Sequence, residues 1–190
     1  MLVENKGIRT DRFYVPPFEL KAGEIVVLCL FHGQHFYDSA MMLKDIFTGN
    51  AKNDNVIIHK KLTFIEYFRE PKLRSIFYPV TVKEYLKKNA GLNSPYTKKI
   101  YENKWINEKT KVQTLAWNPR KLLSLYATFS KTKDIIFDLI GLDPMGADTV
   151  YAEVKEAVRN GGAAILLDGH SDMKDDCTKY IEVEWDNNKY

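Results

Sequence analysis

Two kinds of apolar pattern divide this chain. Residues 25–31, 135–137 and 163–167 are short apolar runs without alternation, which is how strands covered on both faces of a parallel sheet read, and residues 56–58 are another short strand. Between residues 135–137 and 163–167, Ala147, Val150, Tyr151, Val154, Ala157 and Val158 recur at helical spacing on one face. Asp148 near the start of that helix and Arg159 in its last turn complement the helix dipole, and Gly161-Gly162 supply a left-handed stop. A buried strand ending in Asp138, a turn through Gly141, Asp143 and Pro144, a helix and a second buried strand make a βαβ unit with a right-handed crossover. Residues 133–168 are therefore the stretch around which the rest is expected to build.

Upstream, residues 1–4 predict an edge strand, and Phe13-Tyr14-Val15 before Pro16-Pro17 predicts an extended segment. The turn at Lys21-Ala22-Gly23-Glu24 leads into the strongest buried-strand pattern, residues 25–31. Gly33, Gln34, His35, Phe36 and Tyr37 follow, then a helix over 38–48 with Ala40, Leu43, Ile46 and Phe47 inward and Gly49 as its stop. A strand, a glycine turn and a helix form the arrangement in which backbone N–H groups can hold a phosphate.

From residue 60 to 112 the texture changes to scattered aromatics, among them Phe64, Tyr67, Tyr85 and Trp105, set among lysines. Thr81-Val82-Lys83-Glu84 has capping-box spacing and marks one helix start. The region predicts a mostly helical lobe inserted into an α/β core made of residues 1–59 and 113–190. Aromatics interleaved with lysines also occur in single-strand nucleic-acid binders, but nothing here repeats like a stacking platform, and a small aromatic core under a lysine-rich exterior is the simpler reading. Asn118 as N-cap and Pro119 at the first helical position then start a helix with Leu122, Leu123, Leu125, Tyr126 and Phe129 inward. Residues 180–185 alternate as a half-buried edge strand does.

Composition narrows the function. A chain of 190 residues can make one sizeable core, or one core with a lobe. Its 28 basic and 25 acidic side chains leave +3, too even a balance to argue for nucleic acid as a partner. Cys29 and Cys177 lack metal spacing and read as reduced thiols of a cytoplasmic protein. His32 and His35 near Asp38 read as a polar loop rather than a metal site. No run approaches the ~20 apolar residues of a membrane span, and the N-terminus begins neither a signal nor a transit peptide. A cytoplasmic protein without direct membrane insertion is expected, with docking on a membrane partner left open.

The order of these parts resembles the ATP-binding cassette (ABC) ATPase domain over most of the chain. Leu20-Lys21-Ala22-Gly23-Glu24-Ile25-Val26 stand before the phosphate-loop strand, a helix ends at Gly49, and a helical insertion follows. Arg120-Lys121-Leu122-Leu123-Ser124-Leu125 lead into the strand ending in Asp138, then come Gly141-Leu142-Asp143-Pro144 and, after the next strand, His170. The resemblance implies a P-loop NTPase-like fold: a mainly parallel sheet flanked by helices, with an N-terminal antiparallel β segment and an inserted helical lobe. It also implies roles for single residues. Gly33 and Ser39 would hold phosphate, Asp138 would bind magnesium, His170 would sense the γ-phosphate, and Phe13 or Tyr14 would stack on adenine. Each has a plainer reading: Asp138 as a cap for a neighbouring loop, Asp143 with Pro144 as a helix start, His170 as a turn histidine, Phe13 and Tyr14 as core aromatics.

The departures are chemical. Counting forward from Gly33 gives Asp38, Ser39 and Ala40 where the family has Gly-Lys-Ser/Thr; counting back from Gly49 gives Ser39, Ala40 and Met41. Neither register holds the lysine that reaches the β- and γ-phosphates, and Asp38 puts a carboxylate at the helix start. Asp138 is followed by Leu139 and Ile140 rather than the family's glutamate, and leucine cannot accept a proton. The Ser/Gly-rich signature loop is replaced by Leu115-Ala116-Trp117-Asn118-Pro119. The expectation is a scaffold that keeps the cassette form without most of its ATPase chemistry, with no cofactor at work. Its partner is expected to be a protein: a second copy, an intact ABC subunit or a membrane subunit. The alternative is an atypical ATPase, taking ATP and magnesium, that a partner completes.

Overall fold

The computed structural model describes residues 1–31, 33–71, 77–91 and 93–186, so His32 lies outside the described residues. The chain forms two compact units. Residues 1–64, 133–139 and 154–190 make the first, and residues 65–132 and 140–153 make the second.

The first unit begins with antiparallel sheet. Strand β1 (Val3–Asn5) lies between β4 (Phe18–Leu20) and β6 (Val56–Ile58), with Val3 opposite both Leu20 and Ile58. Residues 1–4, expected at an edge, are therefore central. Alternation along a strand reports which side chains are buried, not how many neighbours the backbone has. Strands β2 (Ile8–Arg9) and β3 (Phe13–Val15) pair antiparallel, and β11 (Glu184–Trp185) lies on the other side of β3.

The main sheet is parallel throughout, in the order β10 (Lys179–Glu182), β5 (Ile25–Cys29), β9 (Ala163–Asp168), β8 (Asp134–Phe137), β7 (Thr63–Phe64). Val26 and Ile136 both face Ile165, so the three apolar runs lie side by side. Every residue of β5, β8 and β9 is buried, which accounts for their unbroken apolar sequence. Lys60 pairs at 2.5 Å with Asp134, whose side chain is 5% exposed at the start of β8. Residues 180–185 do not form one edge strand. They divide between β10 in the parallel sheet and β11 in the antiparallel one. Helix α1 (Phe36–Phe47) puts Ala40, Leu43, Ile46 and Phe47 into one core with Val26, Leu28, Ile165 and Leu167. Burying a Leu, Ile or Phe side chain contributes about 1.5–3 kcal/mol.

The second unit is helical: α2 (Val82–Asn89), α3 (Tyr96–Lys99), α4 (Trp117–Phe129) and residues 144–153 of α5 (Pro144–Arg159). The capping box forms as the sequence predicts. The Glu84 amide donates to Thr81 Oγ1 at 3.3 Å and the Thr81 amide to Glu84 Oε2 at 2.8 Å. Helix α4 belongs here and not with the α/β core as residues 113–190 were expected to. Its Leu123, Tyr126 and Ala127 complete a core with Val82, Tyr85, Leu86, Ile100 and Val112. Its start also differs from expectation, with Ala116 at the N-cap position and no side-chain cap. Asn118 Nδ2 instead donates to Asp143 Oδ2 at 2.9 Å.

That contact organises the Gly141-Leu142-Asp143-Pro144 turn. Asp143 Oδ1 accepts from the Gly146 amide at 2.8 Å, capping α5. The Gly146 amide, then the Asn118 side chain, hold the Asp143 carboxyl below the usual carboxylate range. Gly141 has φ +77°, a left-handed conformation, and a Cβ there would also press on the Trp117 ring at 3.1 Å. None of the described helices is long and apolar enough to cross a membrane.

Candidate functional site

In an open parallel sheet, ligands bind beyond the carboxyl ends of the strands. Here β5 ends at Cys29, β9 at Asp168 and β8 at Phe137, immediately before Asp138. Strand β9 lies between β5 and β8, so Asp168 stands between the β5–α1 turn and Asp138 on one sheet edge. Both aspartates are 7% exposed. Asp168 is the residue that sequence reading passed over as a site, although its signal, an aspartate closing a buried apolar run, is the one that singled out Asp138.

Burial pushes the Asp168 carboxyl above its ordinary range, against the smaller opposing pull of the His170 and Gly169 amides. The His170 amide donates to Asp168 Oδ1 at 3.3 Å. The His170 carbonyl accepts from Cys29 Sγ at 3.4 Å. The backbone of His170 is thus held against both neighbouring strand ends while the residue itself is exposed. Beside the Cys29 thiol, the Tyr180 hydroxyl is shielded from solvent. Burial foremost pushes its pKa up.

Helix α1 opens at Phe36, two residues earlier than the pattern predicts, and His35 before it gives no side-chain cap. The Phe36 amide donates to the Gly33 carbonyl at 3.0 Å, and the Ser39 amide to the His35 carbonyl at 3.1 Å. Among the described residues the amides of Tyr37 and Asp38 meet no acceptor. Gly33 has no left-handed φ, and a Cβ there would meet nothing, so the backbone at Gly33 is open to approach. Phe36 turns into the core, Tyr37 is 58% exposed and the Ser39 side chain is buried. Phe31, at the start of the turn, has φ +54°, a left-handed conformation that non-glycine residues adopt at a cost.

The cradle's charge can be set against a triphosphate. The helix dipole and two unclaimed amides favour an anion, but the first turn already carries the Asp38 carboxylate. The lysine on α1, Lys44, sits in the last turn paired to Asp45 at 2.6 Å. The first turn thus presents a carboxylate and no ammonium to an anion, and Ser39 is buried. Among the described residues, no group of three His, Cys, Asp or Glu side chains is placed to hold a metal ion.

The two aromatics differ in access. Phe13 is 4% exposed and packs on Trp185 at a centroid distance of 5.3 Å, so it is a core residue. Tyr14 is half-buried, with the Arg9 guanidinium 4.5 Å from its ring centroid. In the second unit, Trp117 is stacked on Tyr67 at 4.5 Å, and Arg120 lies 5.4 Å from the Tyr67 ring. Arg120 Nη2 donates to the Gln113 and Leu115 carbonyls at 2.8 and 2.6 Å, fixing the segment that precedes α4.

Comparison with known proteins gives a consistent answer at the level of fold. No family model matches this sequence. No curated protein matches it either. Among solved structures, a Pyrococcus furiosus protein assigned as an ABC transporter ATP-binding protein aligns with TM-score 0.72 and 14% identity over 96% of this chain and 97% of its own. An ATP-binding subunit of an ABC transporter aligns at 0.66 and 16% over 97% and 86%. The cbiO1 protein of Clostridium perfringens, part of the ABC transporter complex cbiONQ, aligns at 0.64 and 14% over 96% and 84%. The chain has the fold of ABC-transporter ATP-binding subunits, and at these identities the likeness is one of fold.

Proposed function

We propose that this chain is a non-hydrolysing regulatory or interaction module built on the ABC ATP-binding fold, its nucleotide site degenerate. The observation that carries the reading is the start of α1, where Asp38 takes the position of positive potential, Phe36 fills the core beneath it and no lysine is within the first two turns. Leu139 after Asp138 removes the general base by the same logic. Its partner is a protein: a second copy, an intact cassette or a membrane subunit, with this chain held at the cytoplasmic side; cbiO1, which shares the fold, is itself part of a transporter complex. Calorimetric titration with Mg-ATP tests it. No heat is expected up to millimolar nucleotide, and micromolar binding would overturn the reading.

A second reading, an atypical ATP-binding and hydrolysing subunit completed by a partner, draws on the unclaimed amides of Tyr37 and Asp38. They belong to the same unit as Asp138, Asp168 and His170. It requires a partner that supplies the missing cation. ATP turnover appearing only when this chain is mixed with an intact cassette carrying an inactive site of its own would support it.

A further inference from the structure

We infer that the outer face of α2, together with the segment at residues 104–111, is a docking surface for an anionic lipid bilayer. The even charge of the whole chain conceals a division. The helical unit, residues 65–132 and 140–153, holds 14 Lys and Arg against 8 Asp and Glu, or +6. The remainder holds 14 against 17, or −3.

Six of the helical unit's basic residues lie on α2 and the segment bound at its start. Helix α2 buries Val82, Tyr85 and Leu86 and turns Lys83, Lys87 and Lys88 outward. Glu84 shares that outer face, but its carboxylate is folded back onto the Thr81 amide and hydroxyl. The segment that follows is bound alongside the helix start. The Val82 amide donates to the Thr110 carbonyl at 2.8 Å, the Lys83 amide donates to the Glu108 carbonyl at 3.2 Å, and Thr81 bridges to Lys111. Lys104, Lys109 and Lys111 are exposed on it, and Trp105 stands beside them 59% exposed. Lys83 is neutralised by Glu108 at 2.6 Å. Lys87, Lys88, Lys104, Lys109 and Lys111 form no ion pair with a described residue, so on α2 and the segment bound at its start six lysines stand against the carboxylates of Glu84 and Glu108, with Trp105 exposed in that segment.

The chemistry of this surface selects the occupant. Specific protein interfaces are depleted in lysine and rich in arginine, whose planar fork pairs bidentately. Exposed ammonium groups are strongly hydrated point charges, suited to a diffuse field of phosphates and carboxylates. A tryptophan at the edge of such a field sits at headgroup level, its ring among the upper acyl carbons and its N–H in water. A nucleic-acid strand would instead call for successive stacking rings, whereas Trp105 is the large aromatic exposed in this segment. Each lysine near an anionic leaflet strengthens adsorption about fivefold. The surface lies within residues 81–111 and acts whether or not the cradle takes nucleotide.

Vesicle sedimentation with the full chain tests it, comparing pure phosphatidylcholine with a mixture containing about 30 % phosphatidylserine. Partition onto the anionic vesicles alone is expected, with release in about 0.5 M salt, where charges are screened beyond a few ångströms. The combined variant Lys87→Ala, Lys88→Ala, Lys109→Ala should weaken partition about a hundredfold, with circular dichroism unchanged because all three side chains are exposed. Trp105→Phe should abolish a blue shift of tryptophan emission on anionic vesicles while retaining most of the salt-dependent binding. Equal partition onto both vesicle types, or none at low salt, overturns the assignment. So does tighter binding to a single-stranded oligonucleotide or to polyglutamate than to the anionic vesicles. A nucleotide titration that contradicts the degenerate cradle would leave these results unchanged.

Discussion

The two units of this molecule bury comparable kinds of side chain by different routes. In the sheet unit, β5, β8 and β9 are continuous apolar strands whose residues are all buried. In the helical unit, the core of Val82, Tyr85, Leu86, Ile100, Val112, Leu123 and Tyr126 is assembled from segments far apart in sequence, each contributing one narrow face. On α2 the rest of the helix is left to solvent, and there Lys83, Lys87 and Lys88 lie. A strand covered on both sides has no polar face to spare, while a short helix always has one. The difference teaches that charge in this protein follows the mode of burial, and the whole-chain balance of +3 is a poor guide to either half.

Substitutions can break or sharpen that contrast. The largest effect is expected at Phe47, fully buried and 5.6 Å from the Phe18 ring: Phe47→Ala should cost about 3–5 kcal/mol in urea denaturation. Leu123→Ala, fully buried in the helical core, should cost about 2–5 kcal/mol. Single-tryptophan versions resolve the two: Phe47→Ala should move the transition seen by Trp185 more than that seen by Trp117, and Leu123→Ala the reverse. Identical shifts at both reporters would dissolve the distinction between the units. Thr81→Ala removes the capping box and should cost about 1 kcal/mol, read as a lower urea midpoint at Trp117.

The smallest effect is a pH dependence confined to the sheet unit. The Asp168 carboxyl is raised above its ordinary value, so the folded state holds its proton more tightly than the unfolded chain does. Its stabilising contribution is present below the unfolded value of about 3.9 and lost as pH rises through the folded value. Asp168→Asn, which keeps an acceptor for the His170 amide, should therefore raise the melting temperature at pH 7 and leave it little changed near pH 3. A variant less stable than the parent at pH 7 would show that the ionised carboxylate is held by more than the amides of Gly169 and His170.

Much of this arrangement was legible beforehand. The βαβ stretch, the three apolar strands, the Thr81 capping box and the glycine stop at Gly161 all appear where the residues predict them, because each is set by neighbours within a few positions. What failed did so for want of distant partners. Asn118 has the chemistry of an N-cap, yet it spends its amide on Asp143, 25 residues away. Helix α4 looks like the approach to the βαβ strand but is claimed by the core of α2 and the segment around Ile100. By sequence Asp168 is only a strand end, because sequence does not reveal that β9 lies between β5 and β8. By sequence Phe13 suits a base platform or a core equally, and its contact with Trp185, 172 positions away, decides for the core.

The sequence alone determined the strands that lack a polar face, the crossover that joins two of them, and the absence of a lysine where α1 begins, since each depends on residue identity and local spacing. The tertiary structure decided the strand order, which aspartates share the sheet edge, and that residues 108–111 are bound at the start of α2. Those depend on which segments lie side by side after folding, and long-range pairing is fixed by the burial of the whole core rather than by any one stretch of chain.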